Sequence, residues 1–315
     1  MRRILITAAA AATLLLGAAS LQARQTEARA ALSTFARQAN RDSLEPDIAF
    51  RDEQQGLQLG VRCATRTPSD FEKTLISKAT MDHVRANGTA HRETTLQIPV
   101  VFHVVRNRRG RFDVTDAQIQ RQVQVLNDAY GAHGYRFNLQ EIRRYKDKFA
   151  KKCLQARQER KFKRRNAVDP IHTLNIYTCK PAQGVLGFAY LPSDAPESSS
   201  LHGVVLMYSS LPGGGAVPYD EGDTGVHEVG HYLGLFHTFD GGCGGSGDLV
   251  ADTPAERSPA YGCPIGRDSC PNSPGNDPIF NYMDYTDDSC MDEFTTGQKN
   301  RMNDQVATFR PHLGR

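Results

Sequence analysis

Stretches that are apolar at every position alternate along this chain with stretches apolar only at every third or fourth. IPVVFHVV (98–105) is continuous and β-branched, as a strand buried on both faces requires. TDAQIQRQVQVLNDAYG follows, with Ile119, Val123, Leu126 and Tyr130 at helical spacing. Thr115 and Gln118 supply a capping box for that helix and Gly131 its stop. YRFNLQEI (135–142), TLNIYTC (173–179), GVLGFAYLP (184–192) and HGVVLMYSSL (202–211) predict four more strands, hence an α+β domain with a five-stranded sheet. HEVGHYLG (227–234) has helical spacing, with Thr224 as cap and Val226, Val229 and Leu233 on the buried side. A last helix is predicted over TTGQKNRMNDQVATF, capped by Thr295 with Gln298 and apolar at Met302, Val306 and Phe309.

Two regions lack such periodicity. Residues 24–90 are rich in Arg, Ala, Gln and Thr with little strand patterning, and predict a partly helical extension. Residues 238–294 are rich in Gly, Pro, Asp and Cys, and so long an irregular stretch needs staples. At the very start, Arg2 and Arg3 precede an apolar run from Ile4 to Leu16 and small residues up to Ala23. The run falls short of the ~20 residues of a membrane span, so residues 1–23 predict a cleaved secretory signal.

Secretion changes the reading of the seven cysteines, which outside the cell pair and leave an odd one over. Cys63 stands alone in the extension. Cys153 and Cys179 lie mid-chain, and Cys243, Cys263, Cys270 and Cys290 crowd the last third, where three pairings are open. The net charge of +3 hides an asymmetry: 141–165 holds twelve Lys or Arg against three acids, while 166–315 holds seven against nineteen. An acidic C-terminal half without a nucleic-acid motif excludes a nucleic-acid reader. The basic run predicts an exposed helix or insertion, a solvated face or a contact for anionic glycans.

Three of the ten histidines fall within HEVGHYLGLFH (227–237). On a helix His227 and His231 lie one turn apart on one face, which suits two imidazoles gripping one metal ion. Gly234 can take the positive φ that ends the helix and brings His237 back as third ligand. Three ligands leave a position open, the arrangement of a catalytic zinc site. Glu228, one step round the helix, is placed to take a proton from zinc-bound water as it attacks a carbonyl and to pass it to the leaving amine.

HEVGHYLGLFHT, NYMDY (281–285), SCMDEFTTGQ (289–298) and the LNIYTC and GFAYLP stretches together resemble the pappalysin family of metzincin metalloproteases, from about Ile98 to Phe309. The resemblance implies a metzincin-like catalytic domain, a twisted mixed five-stranded sheet with an active-site helix and an irregular, disulfide-stapled C-terminal subdomain. Residues 1–23 are then a signal peptide, 24–92 a pro-segment and 93–315 the catalytic domain. It makes Met283 the Met-turn residue under the zinc and Tyr285 a donor to the developing oxyanion. GFAYLP becomes an edge strand that pairs with extended peptide substrate. It pairs Cys243 with Cys270 and Cys263 with Cys290, leaving Cys153 with Cys179 by elimination. Asp248, Asp252 and Thr253 fall where relatives bind calcium, though Asp residues also serve turns. Cys63 is implied as a latency switch that ligates the zinc, a disulfide to Cys153 or Cys179 being the alternative. Some members carry an acid just before the last bridge cysteine that favours basic side chains after the scissile bond. This chain has Ser289 there, with Asp287 and Asp288 beside it.

The expected activity is that of a secreted, extracellular zinc endopeptidase. A zinc amidase on non-peptide amides and a non-catalytic metal-binding adhesion module are the rivals. An open cleft of peptide length separates the first from the protease, and an intact Glu228 argues against the second.

Overall fold

The computed structural model describes residues 44–52, 56–89 and 95–315, so the signal at 1–23 and the boundary at 92/93 lie outside it. In the extension, β1 (Ile48–Asp52) buries Ile48, Phe50 and Asp52 while exposing Ala49 and Arg51. β2 (Gly56–Gly60) pairs with it antiparallel, and the other edge of β1 takes Ala216–Val217 from the far part of the chain. This corrects the expectation of little strand structure. The alternation spans five residues, too few to stand out, and one of its two partners is distant in sequence. A helix, α1 (Asp70–Asn87), follows with a capping box between Ser69 and Glu72.

The main sheet has the order β4-β3-β5-β7-β6, from β3 (Leu96–Arg106), β4 (Tyr135–Lys146), β5 (Leu174–Cys179), β6 (Gly187–Ala189) and β7 (Val204–Met207). The first four strands are parallel and β6 runs antiparallel along the edge. Parallel strands are covered on both faces, which is why their sequences are near-continuous apolar runs. β6 and β7 are shorter than their apolar stretches, because residues 192–194 and 208–210 coil into single 3-10 turns. The remaining strand, β8, is the Ala216–Val217 pair already met.

One face of the sheet packs on α2 (Asp116–Gly131) through Ile119, Val123, Leu126 and Tyr130, capped by Thr115 and Gln118 as expected. The other face packs on residues of the basic run. Its first six residues complete β4, and the rest form α3 (Phe149–Lys152) and α4 (Ala156–Asn166). The run is therefore not wholly exposed: Phe149 and Phe162 stack at 4.6 Å in a core with Tyr177 and Phe188. A buried Glu159–Lys163 pair at 2.9 Å accompanies them.

Two further helices complete the fold, α5 (Asp223–Leu233) and α6 (Thr296–Phe309), the latter capped by Thr295 and Gln298. Between them the chain is irregular and stapled by Cys243–Cys270 and Cys263–Cys290, while Cys153–Cys179 ties the end of α3 to β5. No helix among the described residues is long and apolar enough to cross a membrane.

Candidate active site

α5 begins differently from its sequence-based expectation. Gly222, left-handed at φ 113°, occupies the N-cap position, and Thr224 caps nothing. The carboxylate of Asp288 accepts from the amides of Glu221, Gly222 and Asp223 at 3.0, 3.2 and 3.3 Å. An anion at a helix N-terminus satisfies orphan donors and opposes the dipole, so a remote residue replaces the local cap.

Every residue of α5 is buried. The chain leaves it at Gly234, left-handed at φ 106°, and returns with His237. His231 Nε2 lies 3.1 Å from His227 Nε2 and 3.0 Å from His237 Nε2. The opposite ring nitrogens of His227 and His231 meet backbone carbonyls, Tyr282 O at 2.7 Å and Leu235 O at 2.9 Å. Carbonyls only accept, so each Nδ1 carries the proton and each Nε2 turns a lone pair toward the others. Burial, then the neighbouring imidazoles, holds both rings well below the ordinary histidine range. Converging lone pairs in a buried site repel unless a cation sits among them, so the donor set fits a zinc ion.

Two side chains of NYMDY pack around these residues. The Tyr285 hydroxyl is 3.2 Å from His237 Nε2. Burial, then the charges of Cys63, Asp47 and Glu228, raises it well above the ordinary phenol range and keeps it a donor. Met283 is fully buried against the motif, and a Cβ on Gly230 would collide with its sulfur. The glycine of the motif thus makes room for the methionine.

The extension lies across this centre. Leu186 donates to Val61 O at 2.9 Å, Ala64 to Gly187 O at 2.9 Å, and Ala189 to the Thr65 hydroxyl at 2.8 Å, so residues 61–65 run along β6. Thr65 in turn donates to Glu228 Oε2 at 2.7 Å. Cys63 forms no disulfide; its sulfur is 3.6 Å from His231 Nε2, and one ligand atom from each of Cys63, His227, His231 and His237 lies within 4.8 Å of the rest. Burial, then the Glu228 carboxylate, pushes the thiol well above its ordinary value, the opposite of what a neighbouring cation does.

Arg62 is buried beside them. It donates to Thr224 Oγ1 at 2.8 Å, pairs with Asp288 at 3.5 Å and lies 5.0 Å from the Tyr219 ring centre. Burial raises both Asp223 and Asp288 above the usual carboxylate range, the Asp288 charge adds to the rise at Asp223, and the Arg62 guanidinium opposes both shifts. Farther out, Arg66 joins Asp194 at 2.5 Å and Glu72 at 2.7 Å. Lys73 lies 3.4 Å from Asp240, itself 3.8 Å from His237 Nδ1.

The expected calcium trio is not gathered at one point. Thr253 donates to Asp248 at 2.8 Å, whereas Asp252 accepts from Thr295 Oγ1 at 2.7 Å and Gly297 N at 2.8 Å at the start of α6. Sequence reasoning missed Arg62, Thr65, Asp240 and the pocket role of Asp288. Polar residues around Cys63 followed by the Ser69-to-Glu72 capping box were the available signal.

A family model described as Pregnancy-associated plasma protein-A, Peptidase_M43, matches residues 157–307. Extracellular metalloprotease 1 of Coccidioides posadasii is 40% identical over 254 residues, 79% of this chain and 90% of its own. An extracellular metalloprotease of Pyricularia oryzae is 42% identical over 257 residues, covering 79% and 89%. Among solved structures, a promirolysin mutant of Tannerella forsythia superposes with TM-score 0.70 at 28% identity, covering 80% of this chain and 96% of that one. Mature mirolysin of Tannerella forsythia with a cleaved peptide gives 0.60 at 32%, covering 67% and 91%.

Proposed function

Because this chain belongs to the Peptidase_M43 (pappalysin) family of metzincin metallopeptidases, we propose that it is a secreted zinc endopeptidase held latent by its own residues 61–66. The observation that carries this reading is the pair of contacts made by one short segment, Cys63 on the three histidines and Thr65 on Glu228. A zinc ion bound by His227, His231 and His237 supplies a Lewis acid that polarises the scissile carbonyl and acidifies water. Glu228 then takes the proton of the attacking water on the oxygen that Thr65 now occupies, and delivers it to the leaving nitrogen. Tyr285, fixed beside His237, donates to the oxyanion. Edge strand β6 holds extended peptide by its backbone, as it holds residues 61–65. A groove that takes five residues of extended chain favours a peptide over a small amide.

Arg62 supports a substrate preference. Its pocket ends in Asp288, one residue before the serine where an acid was expected, so a basic side chain after the scissile bond would meet the same carboxylate. Zymogen character is supported by promirolysin matching more of this chain than mature mirolysin does. The pro-segment would be removed by a cut between Thr89 and the start of β3. Secretion rests on the apolar leader and on relatives named extracellular. A calcium ion at Asp248 and Thr253 rests on the family likeness; burial raises the Asp248 carboxyl to about 6, and a cation would reverse that.

The test compares processed protein with its Glu228→Ala variant on a peptide library read by mass spectrometry, with bound zinc measured for both. Expected are cleavage by the first alone, its loss on chelation, basic residues after the cut, and equal zinc in both. Zinc-loaded, processed protein that cuts no peptide would sink the protease reading.

A further inference from the structure

Nothing in the proposed chemistry uses the sheet edge farthest from the cleft. β6 lines the active site and β4 forms the opposite edge of the same sheet, four strand spacings or about 19 Å away. Where β3 and β4 end, the turn after β3, the end of β4 and helices α3 and α4 meet around a groove. One lobe, of about 280 Å³, is lined by Arg108, Lys146, Lys148, Lys161 and Arg165 over the ring of Phe162. It continues past Arg108 and Lys148 into a second lobe of about 660 Å³ that adds Arg109, Arg111, Lys151 and Lys152.

The charges here are unbalanced. Asp147 is the one carboxylate lining either lobe, and its two oxygens already accept from the Phe149 amide at 2.9 Å and from Arg165 at 3.1 Å. Neighbouring cations are neutralised elsewhere, Arg106 and Arg144 by Asp113, and Lys163 by Glu159. Arg108, Arg109, Lys146, Lys148, Lys152 and Lys161 are exposed and form no ion pair among the described residues. At the margin, partial burial and the like charges of Lys151 and Arg111 hold the Lys180 ammonium below its usual range against the opposing pull of Asp52. Folding has brought together two basic segments from either side of α2, and six of their exposed cations have no counter-charge among the described residues.

The groove also limits what that anion is. None of the exposed large hydrophobic side chains lies between residues 106 and 180, so a lipid surface finds no apolar anchor. Phe112 and Phe162 are buried and leave unpaired bases no ring to stack on. We propose that this groove docks a linear sulfated polysaccharide, its sulfates taken by the arginine forks and lysine ammoniums along the two lobes. Sulfates stay ionised throughout the physiological range, and a flexible chain of repeated charges can follow a groove that bends around Lys148. Because no residue lining the groove belongs to β6, to the histidine motif or to residues 61–66, the docked enzyme keeps its cleft open. Latent and processed forms bind alike.

The test uses the full chain, a fluorescent heparin oligosaccharide at about 0.15 M salt, and a heparin column. Replacing Arg108, Lys148, Lys151 and Lys152 by Gln should weaken binding by about 30-fold and bring elution to lower salt, at roughly 0.5 kcal/mol for each exposed charge. Replacing Lys78, Arg85, Arg136 and Arg257 by Gln removes the same net charge elsewhere and should leave affinity within about twofold. Equal losses in the two variants, or no loss in the first, would overturn the assignment. Hyaluronan or polythymidine binding the parent chain as tightly as heparin does would also overturn it, the first by removing sulfate from the recognition and the second by favouring nucleic acid. A Lys146→Gln/Lys161→Gln pair, confined to the first lobe, checks the result should the fourfold variant melt early.

Discussion

Arg62→Ala in the intact chain probes how firmly the extension is held. The guanidinium it removes is fully enclosed, bonded to Thr224 at 2.8 Å and paired with Asp288 at 3.5 Å. Removing one member of a buried ion pair costs about 3–5 kcal/mol, most of it from stranding the other charge. Asp288 is not fully stranded, since three backbone amides at 3.0 to 3.3 Å still serve it. The cost should therefore fall to about 2–3 kcal/mol, or about 30- to 140-fold in the opening of the docked segment. Hydrogen exchange of the Ala64 and Ala189 amides, both closed by the docked segment, reads that opening directly. The measurement belongs on a Glu228→Ala background, where self-cleavage cannot blur it. Exchange within about threefold of the parent would show that Arg62 is a passenger. Asp288→Asn in processed enzyme is the companion: it should lower kcat/KM for peptides with Arg after the scissile bond by a similar factor and spare those with Ala there.

Cys63→Ala should give unprocessed chain that binds zinc through three imidazoles and shows peptidase activity above the parent's background; silence in both would shift latency to Thr65 and Arg62. Asp284→Asn addresses the buried carboxylates Glu256, Asp277 and Asp284, which share one guanidinium, Arg267. Burial, then neighbouring charge, raises Glu256 to about 8, and burial raises Asp284 to about 7. A raised acid binds more protons folded than unfolded, so its stability contribution is complete below about 4 and is lost as pH climbs through the folded value. Melting temperature should therefore decline between about pH 4 and 8 in the parent and less so in the variant, and parallel curves would refute the shared proton. Breaking Cys263–Cys290, which closes a loop of 27 residues, should cost about 3 kcal/mol in denaturant unfolding; a loss under about 1 would mean that the loop is ordered without it.

What was legible in the sequence is what is local. His227, Glu228 and His231 declare their geometry because a helix fixes i and i+4 on one face, and the strand cores declare theirs by continuous apolar runs. Contacts across long separations left no such mark. Arg62 and Asp288 are 226 positions apart, and neither is unusual where it stands. The same distance explains the wrong cap on α5, where Thr224 fits every local rule but Asp288 arrives from outside and frees it to receive Arg62. β1 was invisible because a five-residue alternation is too short to stand out, and β8, which covers its other edge, is distant in sequence. Cys63 was found through resemblance, since its 168-residue separation from His231 carries no spacing rule.

The extension's hold on two separate parts of the fold, Arg66 donating to Asp194 after β6 and Thr80 accepting from Gln305 on α6, has a consequence in solution. While its link to β3 is intact, the docked segment competes for the cleft at the effective concentration of a short tether, on the order of millimolar. A dissociation constant of about 1 µM would then keep the site closed roughly a thousand to one. One cut in the link would make the same encounter bimolecular, and at about nanomolar enzyme the identical contacts would hold almost nothing. No bond at the metal centre has to weaken for the enzyme to open. Dilution does the releasing, and because the segment drifts away it cannot be reversed.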